Sequence, residues 1–198
     1  GFINHWTQPI INQPEIGILG IITKEIDGKL YCLMQAKIEP GNLNYIQLSP
    51  TLQATKSNYT QVHKGKKSLY LEYFLDRTNI VLIDQLQSEQ GARYYRKRNR
   101  NIIIEPKDEI PVYENFQWMA LDQIVQLLKI DNTVNMDTRT VISGLLFMGQ
   151  KVQNTVENAL HSFEDIIKWL THLKTFFELE VDEIPLNKLK NWVKTDVK

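Results

Sequence analysis

The feature that most constrains the fold is a hairpin pattern in residues 14–40. The apolar run "IGILGII" leads into "KEIDGK", and the alternating segment "LYCLMQAKIE" follows. An Asp-Gly pair between two apolar segments is a strong signal for a tight hairpin turn, because both central residues of that turn need a positive φ. The sequence therefore predicts a turn at Asp27-Gly28 with one strand on each side of it.

Further strands are predicted downstream of this hairpin. Pro40-Gly41-Asn42 predicts the next turn, since all three residue types favour turn conformations. Alternating apolar and aromatic residues predict strands at 68–76 and 80–87. Another strand is predicted at 92–105, with Ile102-Ile103-Ile104 in the core. These segments indicate a mixed, mostly antiparallel sheet.

Helices are predicted after these strands. Apolar residues, beginning with Trp118, recur at helical spacing through 116–129, and a second, largely buried helix is predicted at 135–148. An amphipathic helix is expected after Ser162, which can cap its first turn. The combination predicts an α+β fold in which helices flank the sheet.

The composition argues against several classes of protein. The 23 Lys and Arg residues balance 23 Asp and Glu residues, whereas proteins that bind nucleic acid nonspecifically usually carry a basic excess. A single cysteine, Cys32, excludes an intrachain disulfide and a cysteine metal site. No apolar run approaches the roughly 20 residues of a membrane span, and no signal-peptide pattern is present. A cytoplasmic location without membrane contact is therefore expected.

A local basic cluster stands out against this neutral background. The stretch "SEQGARYYRKRNRN", residues 88–101, places arginines around two tyrosines, with Glu89 beside them and Gly91 where a ligand can approach the backbone. Guanidinium groups bind phosphate through two parallel hydrogen bonds. Three interpretations remain open: a solvated edge strand, an anion site for a phosphorylated small molecule, or a surface for single-stranded nucleic acid.

A second unusual stretch is the dense polar run of residues 53–63. Gln35 and Lys37 lie nearby in sequence, flanked by apolar strand residues. Buried amide and ammonium groups need partners, because leaving one unpaired costs about 1–3 kcal/mol. The run is therefore either a solvated loop or part of a binding site. Asn135 or Asp137 is interpreted as the cap of the second helix, and Arg139, one turn later, as a residue able to point to a ligand.

Several segments together resemble a known family. "WTQPIINQPEIGILGII", "LMQAKIEPGNLNYIQLSPTLQATKSNYTQVHKG", "LQSEQGARYYRKRNRN" and "VNMDTRTVIS", in this order over residues 6–145, resemble the NDP-hexose 2,3-dehydratases of deoxysugar biosynthesis. The resemblance implies a Nudix-hydrolase-like α+β module over residues 1–148. Residues 149–198 then correspond to a linker helix and the opening segment of a following module. Family members are homodimers with two such modules, so this chain corresponds to one module and is expected to dimerise or to pair with a second module.

The resemblance also implies an activity. Family members act on dTDP-4-keto-6-deoxy-glucose, remove the C3 proton and the C2 hydroxyl, and pass the product to an NADPH-dependent 3-ketoreductase in antibiotic and deoxysugar biosynthesis. No metal or organic cofactor is expected. Two alternatives to a dehydratase stay open: a non-catalytic module that binds a nucleotide sugar or assembles a dimer, and a binder of single-stranded nucleic acid.

The chemistry of this reaction selects candidate residues. The candidates for the base that removes the C3 proton are Glu89, His63 and Tyr59, in that order. Arg93 and Arg98 suit the diphosphate, and Trp6, which is otherwise a core residue, or Tyr59 suits the thymine ring. The full set of predicted substrate-binding residues is Trp6, Gln35, Lys37, Asn58, Tyr59, Ser88, Glu89, Gln90, Gly91, Arg93, Tyr94, Arg98, Asn99, Gln123, Asn135 and Arg139.

Overall fold

The structure is a computed structural model, and it describes residues 9–56, 68–147, 160–176, 182–183 and 185–188. Residues Ile10–Met148 form one compact unit, and Gly149–Lys198 group with Gly1–Pro9 in another. All the described strands belong to the first of these units.

The helices and strands follow one another along the described parts of the chain. In order they are β1 (Gly17–Ile26), β2 (Lys29–Ile38), β3 (Ile46–Ser49), β4 (Leu52–Ala54), α1 (Leu71–Leu75), β5 (Ile80–Ser88), β6 (Arg98–Glu105), β7 (Phe116–Ala120), α2 (Leu121–Leu127), α3 (Met136–Ser143), the 3₁₀ turn Gly144–Phe147, α4 (Phe163–Lys174) and the 3₁₀ turn Leu186–Lys188.

The predicted hairpin is confirmed. Ile26 pairs with Lys29 across a two-residue turn in which Asp27 and Gly28 both have positive φ, 51° and 72°. Aspartate tolerates this conformation and glycine adopts it without steric cost, so the local sequence sets the register of the two long strands.

The described strands form one seven-stranded sheet, ordered β3-β2-β1-β6-β5, with β4 also pairing with β1 and β7 with β2. β1 is parallel to β6, whereas the other pairings are antiparallel. The predicted α+β class, with a mixed, mostly antiparallel sheet, is confirmed.

Apolar residues are buried on both faces of the sheet. Alternate residues of β1 serve the two faces: Ile18 and Ile22 pack with α1, whereas Leu19 and Ile21 pack with α2 and α3. Cys32 is fully buried among the second group, and burial raises the pKa of its thiol to about 12. The cysteine is therefore a small core residue rather than a reactive thiol.

The strand predicted at 68–76 is wrong, since this segment forms the short helix α1. Tyr70, at φ 64°, reverses the chain before the helix, and Leu71 and Phe74, three residues apart, enter the core. A β-carbon at Gly20 would lie 2.3 Å from the Phe74 ring, so the glycine lets the helix lie directly on β1. The apolar residues of this segment also alternate, and the prediction followed that alternation. The helical spacing of Leu71 and Phe74 is the pattern that matches the structure.

The helix predicted at 116–129 is only half right. Residues Phe116–Ala120 form β7, paired antiparallel with β2, and Trp118 lies opposite Leu33 in that strand. The helix begins at Leu121, because the Gln123 side chain accepts a hydrogen bond from the backbone N–H of Ala120 at 3.0 Å. Pairing with β2 overrides the helical spacing of the apolar residues.

The other predicted elements are closer to the structure. The strand at 80–87 is confirmed as β5, and Ile102-Ile103-Ile104 is buried in β6 as predicted. β6 begins only at Arg98, however, because a turn in which the N–H groups of Arg93 and Tyr94 bond to the Gln90 carbonyl precedes it.

The remaining two predicted helices are confirmed, and each has its expected cap. The Asn135 side chain accepts from the Thr138 N–H at 2.8 Å, and α3 continues into the 3₁₀ turn after it. In the second unit, the Ser162 hydroxyl oxygen accepts from the Asp165 N–H at 3.1 Å and begins α4. Among the described helices, none combines the length and the apolar character that a membrane crossing requires.

Candidate active site

A cavity of about 230 Å³ opens where the central strands meet the first turns of α3. Most of the side chains that line it are polar or acidic. They are Leu19, Gln87, Ser88, Glu89, Gln90, Asn99, Asn101, Met136, Asp137 and Thr140.

The register of the sheet explains why the amides meet. Asn99 lies opposite Gln87 of β5, and Asn101 lies opposite Leu19 of β1. Directly opposed residues of neighbouring strands share a face, and so do residues two apart on one strand. Asn99 and Asn101 therefore project from the same face of β6 as the buried Ile103, toward the side of the sheet that α3 covers.

Glu89 is held at one side of the cavity, directly after β5. Its carboxylate accepts hydrogen bonds from the Asn99 side-chain amide and from the Gln90 N–H, the latter at 3.0 Å. The Glu89 N–H in turn donates to the Lys97 carbonyl at 2.9 Å. The carboxylate is half-buried and has a fixed orientation, as a base in a confined site requires.

Asp137, in the first turn of α3, has a different environment. Burial raises the pKa of its carboxyl group, against a hydrogen bond from the Gln53 side-chain amide that lowers it. The nearby negative charges of Glu89 and Glu39 raise this pKa further, and Lys37 opposes them. Asp137 therefore keeps its proton to a higher pH than an exposed aspartate does.

A series of hydrogen-bonded polar side chains leads from Asp137 through Gln53 to Lys37 and Glu39. Lys37 donates to the Gln53 side-chain oxygen at 2.6 Å and pairs with Glu39 at 3.1 Å. Burial opposes the ionisation of Glu39, but the hydrogen bond and charge of Lys37, with amide hydrogen bonds from Asn135 and Asn42, hold its pKa below the usual value. These side-chain contacts fix the orientation of the Gln53 amide, which bonds to Asp137.

Asn101 has an unusual position in the cavity wall. Its side chain is 2% exposed, and neither amide atom finds a hydrogen-bond partner in the described part of the chain. A buried polar group without a partner costs about 1–3 kcal/mol of stability, so its presence calls for an explanation.

The structure brings several predicted residues together at this cavity. Ser88, Glu89, Gln90 and Asn99 line it. Lys37 and Asn135 belong to the polar side chains that adjoin Asp137. The four lining residues belong to the stretch 88–101, whereas Lys37 and Asn135 are distant from it in sequence, so their approach to the site was not visible in the sequence order.

Other predicted residues do not line the cavity. Gln35 is half-buried in β2 opposite Ser49, and Gly91, Arg93 and Arg98 are exposed. Tyr94, also half-buried, pairs through its backbone with Ile11, and the Lys97 ammonium lies 5.8 Å from its ring centroid. The turn that carries Arg93 directly follows the cavity residues Ser88–Gln90.

Two predicted residues serve local backbone structure. Gln123 caps α2, as described above. The Arg139 guanidinium donates to the carbonyls of Leu128 at 3.0 Å and Val134 at 3.2 Å. Both side chains thus stabilise the segment that connects β7 to α3.

Four predicted residues fall outside the described part of the chain. They are Trp6, Asn58, Tyr59 and His63. Their predicted roles in stacking and proton removal stay predictions.

The basic cluster itself is largely engaged within the protein. The Arg100 guanidinium forms a two-pronged ion pair with Asp84, with both N–O distances 2.7 Å. This pair lowers the pKa of Asp84 and raises that of Arg100. Lys97 is buried and donates to the Glu15 carbonyl at 3.3 Å, and Arg96 lies over the Tyr95 ring. Part of this cationic charge therefore has an internal partner.

Three residues of this site were not among the predicted site residues. Asp137 was considered only as a helix cap, Gln53 only as one member of a polar run, and Asn101 not at all. The signal for Asn101 was available: together with Asn99 it places amides on the buried face of a strand that continues as Ile102-Ile103-Ile104.

The chain was compared with solved structures. It is similar to an Ap4A hydrolase from C. elegans, with 10% identity and a TM-score of 0.40 over 68% of this chain and 97% of that one. It is also similar to a Nudix hydrolase from M. smegmatis, with 14% identity and a TM-score of 0.39 over 68% and 87%. Similarities at these TM-scores do not assign a fold, and the Nudix-like character of the module stays a prediction.

Sequence comparison is more specific. Three curated relatives bear the name dTDP-4-dehydro-6-deoxy-alpha-D-glucopyranose 2,3-dehydratase. The protein from Saccharopolyspora spinosa is 47% identical over 96% of this chain and 43% of its own length. Those from Streptomyces violaceoruber and Amycolatopsis orientalis are 47% and 45% identical, over 96% and 97% of this chain and 44% and 40% of their own lengths. The chain thus spans less than half the length of each of these relatives.

The family can be assigned from a match over most of the chain. The family model described as NDP-hexose 2,3-dehydratase matches residues 1–145, which include every residue that lines the cavity. The resemblance read from the sequence is confirmed: the chain belongs to the NDP-hexose 2,3-dehydratase family.

Proposed function

We propose that this chain carries the active site of a sugar-nucleotide 2,3-dehydratase acting on dTDP-4-dehydro-6-deoxyglucose, the substrate that the names of its relatives state for them. The observation that carries the proposal is the meeting of Glu89 and Asp137, two carboxyl groups in different environments, in one cavity of the family-matched region. Two carboxyl groups in different environments can serve as base and acid in one reaction.

The reaction needs a base at C3 and an acid at C2. The 4-ketone acidifies the C3–H bond, so a base removes that proton and the electron pair forms an enolate between C3 and C4. The enolate then re-forms the ketone and expels the C2 hydroxyl, which leaves as water when an acid protonates it. The resulting C2–C3 enol becomes a 3,4-diketo sugar with a methylene group at C2.

The environments assign the two roles. Glu89 takes the C3 proton, since its carboxylate is oriented by Asn99 and by the Gln90 N–H. Asp137 protonates the departing hydroxyl, a role supported by the burial and the neighbouring carboxylates that raise its pKa and so favour the protonated form. Acid–base catalysis of this kind contributes about 10²–10⁴-fold to a rate.

A trapping assay tests the proposal. The chain is incubated with dTDP-4-dehydro-6-deoxyglucose, NADPH and a 3-ketoreductase that captures the labile product, and the nucleotide sugars are analysed by mass spectrometry. The expected product is a dTDP-sugar that has lost the C2 oxygen. Glu89→Gln should abolish this product, whereas Glu25→Gln, an exposed position in β1, should not.

The outcomes separate the proposal from its alternatives. Binding of the dTDP-sugar without deoxygenated product would leave a non-catalytic module. A thermal shift with an oligonucleotide but none with dTDP would point instead to a binder of single-stranded nucleic acid. Either result would contradict the dehydratase assignment for this chain.

Further parts of the proposal extend beyond the cavity. Arg93 binds the diphosphate, a role supported by the exposure of its side chain and by the position of its turn directly after the cavity residues. Arg98 directly precedes Asn99 on β6 and therefore lies on the other face of that strand, so its role in diphosphate binding stays a prediction. Residues 149–198 serve as a linker helix and the start of a following module. Dimerisation, an NADPH-dependent 3-ketoreductase as the next enzyme and a cytoplasmic location stay predictions.

A further inference from the structure

Asn101 is the residue of the cavity whose position the acid–base pair does not explain. Its side chain is almost completely buried, it lines the cavity, and both its amide atoms lack a partner within the described residues. Asn99, two residues earlier on the same strand face, has its amide bonded to Glu89. The two amides therefore have similar positions and different hydrogen bonding.

The neighbours of Asn101 account for this difference. On one side it faces Leu19 of β1, which offers no polar side-chain group, and on the other it faces Gln85 of β5, whose side chain is exposed. Ile102 and Ile103, which follow it, are fully buried core residues. The cavity is thus the direction from which a partner for the amide can come.

We propose that Asn101 is a substrate-binding residue that donates a hydrogen bond to the C4 oxygen of the sugar, first as a ketone and then as the enolate. The proposal rests on the dehydratase function proposed above. The carbonyl group of the same amide accepts a hydrogen bond from a sugar hydroxyl, so one side chain recognises a ketone beside an alcohol.

The position suits this role electrostatically. A neutral N–H donor fixed in a buried wall stabilises a developing oxyanion strongly, because little water competes for the hydrogen bond and the donor need not reorient. Side chains two residues apart on a strand are about 7 Å apart, so the Asn101 amide lies one such step from the amide that orients Glu89. The base at C3 and the donor at C4 then belong to one strand face.

Asn101→Leu tests the assignment, because leucine has a similar shape and lacks the amide. The variant should unfold at the same temperature as the wild type or at a higher one, since it removes an unpartnered buried amide. Its affinity for dTDP should be unchanged, whereas its affinity for dTDP-4-dehydro-6-deoxyglucose should fall about 10-fold and kcat about 10²–10³-fold. Loss of function in an equally stable protein is not expected of a residue that only holds the fold.

Gln85→Leu is the matched control. It makes the same replacement at the cross-strand neighbour of Asn101, at an exposed position outside the cavity lining. Affinities and turnover should both stay at the wild-type values. A similar loss in both variants would show that the strands, and not the amide, were disturbed.

Each other result is decisive. If Asn101→Leu binds the keto sugar and turns it over like the wild type, the amide meets only water and the assignment is wrong. If it loses affinity for dTDP as well and unfolds earlier, the residue is structural. A wild-type chain that binds neither compound contradicts the proposed function itself, and the assignment of Asn101 falls with it. If the wild-type chain binds both compounds without turnover, the comparison of its affinities for dTDP and for the keto sugar with those of Asn101→Leu decides the assignment.

Discussion

The cavity and the basic cluster are neighbours in the chain with opposite relations to solvent. In the cavity, Asp137 is half-buried and has a raised pKa, and Asn101 is buried without a partner among the described residues. In the cluster of residues 93–100, the most conspicuous charges in the sequence are either exposed or already paired, as Arg100 is with Asp84. The densest charge in the sequence therefore lies on a surface, whereas the groups proposed to react are buried or half-buried.

Energetics explain the difference. An exposed ion pair contributes about 0–1 kcal/mol, so a surface tolerates many charged arrangements at little cost. A buried polar group without a partner is costly, and natural structures retain few of them. The cavity thus contains the residues whose presence the fold alone does not explain. Five measurements on four variants test this contrast, from the largest expected effect to the smallest.

Asp137→Asn should have the largest effect. The amide keeps the shape of the side chain and cannot protonate the leaving hydroxyl, so kcat should fall about 10²–10⁴-fold with dTDP affinity retained. Trapped-product assays measure the rate. Asp122→Asn, which changes an exposed aspartate in the first turn of α2, is the control and should be fully active. Equal rates for wild type and Asp137→Asn would remove Asp137 from the mechanism.

Arg93→Ala tests the basic cluster, and its expected effect is on substrate binding. If the guanidinium binds the diphosphate, its loss should weaken dTDP-sugar binding by about 1.5–3 kcal/mol and leave kcat at saturation nearly unchanged. Isothermal titration gives the affinity. Arg77→Ala removes the same charge from an exposed turn between α1 and β5 and should bind normally. An unchanged affinity for Arg93→Ala would move the diphosphate away from the cluster.

Gln53→Leu should shift a pH profile. The Gln53 amide lowers the pKa of Asp137, so its removal should raise that pKa and keep the acid protonated to a higher pH. The alkaline limb of kcat against pH should therefore move upward. Gln47→Leu in β3, which loses only a hydrogen bond to Asn44, is the comparison variant. A downward shift for Gln53→Leu would show that Asp137 acts as a base instead.

The stability of Asp137→Asn should depend on pH in a defined direction. The folded-state pKa of Asp137 lies above its unfolded value of 3.8, so the carboxyl stabilises the protein below pH 3.8, and this contribution is lost as the pH rises through the folded-state pKa. The variant should accordingly gain stability relative to the wild type as the pH rises from below 3.8. Urea unfolding across that window measures the difference, and an opposite slope would show that the carboxyl is favoured as an anion.

Arg100→Ala should have the smallest effect. Its ion pair with Asp84 is partly exposed, with side-chain accessibilities of 33% and 43%, so a double-mutant cycle with Asp84→Ala should give a coupling of about 0.2–1 kcal/mol in unfolding free energy. Turnover should not change. A large loss of kcat would place the basic strand face within the active site and weaken the contrast between the two regions.

Local chemistry made some of the fold predictable. The positive φ values at Asp27 and Gly28 and the caps at Asn135 and Ser162 depend on residues close in sequence, so the pattern was sufficient. The strand prediction for residues 68–76 was wrong because the apolar residues there fit both the alternation of a strand and the spacing of a helix. The packing of Phe74 over Gly20 favours the helix. The helix prediction at Trp118 was wrong because this segment pairs with β2, which is distant in sequence, and that pairing overrides the helical spacing of its apolar residues.

The site was predictable to the same extent. Ser88, Glu89, Gln90 and Asn99 were selected from the basic stretch 88–101, and the structure places all four in the cavity wall. Lys37 was selected as a polar group beside apolar strand residues and Asn135 as a helix cap, and both belong to the polar side chains that adjoin Asp137. Asp137 was not selected, since its raised pKa comes from burial and from residues such as Gln53, 84 positions away. No local pattern carries that information.

The most direct measurement is a crystal structure of the chain with bound dTDP-4-dehydro-6-deoxyglucose. The account predicts the hexose ring between Glu89 and Asp137, with its C4 oxygen within hydrogen-bonding distance of the Asn101 amide. A hexose bound elsewhere on the protein, with the cavity containing only solvent, would contradict it.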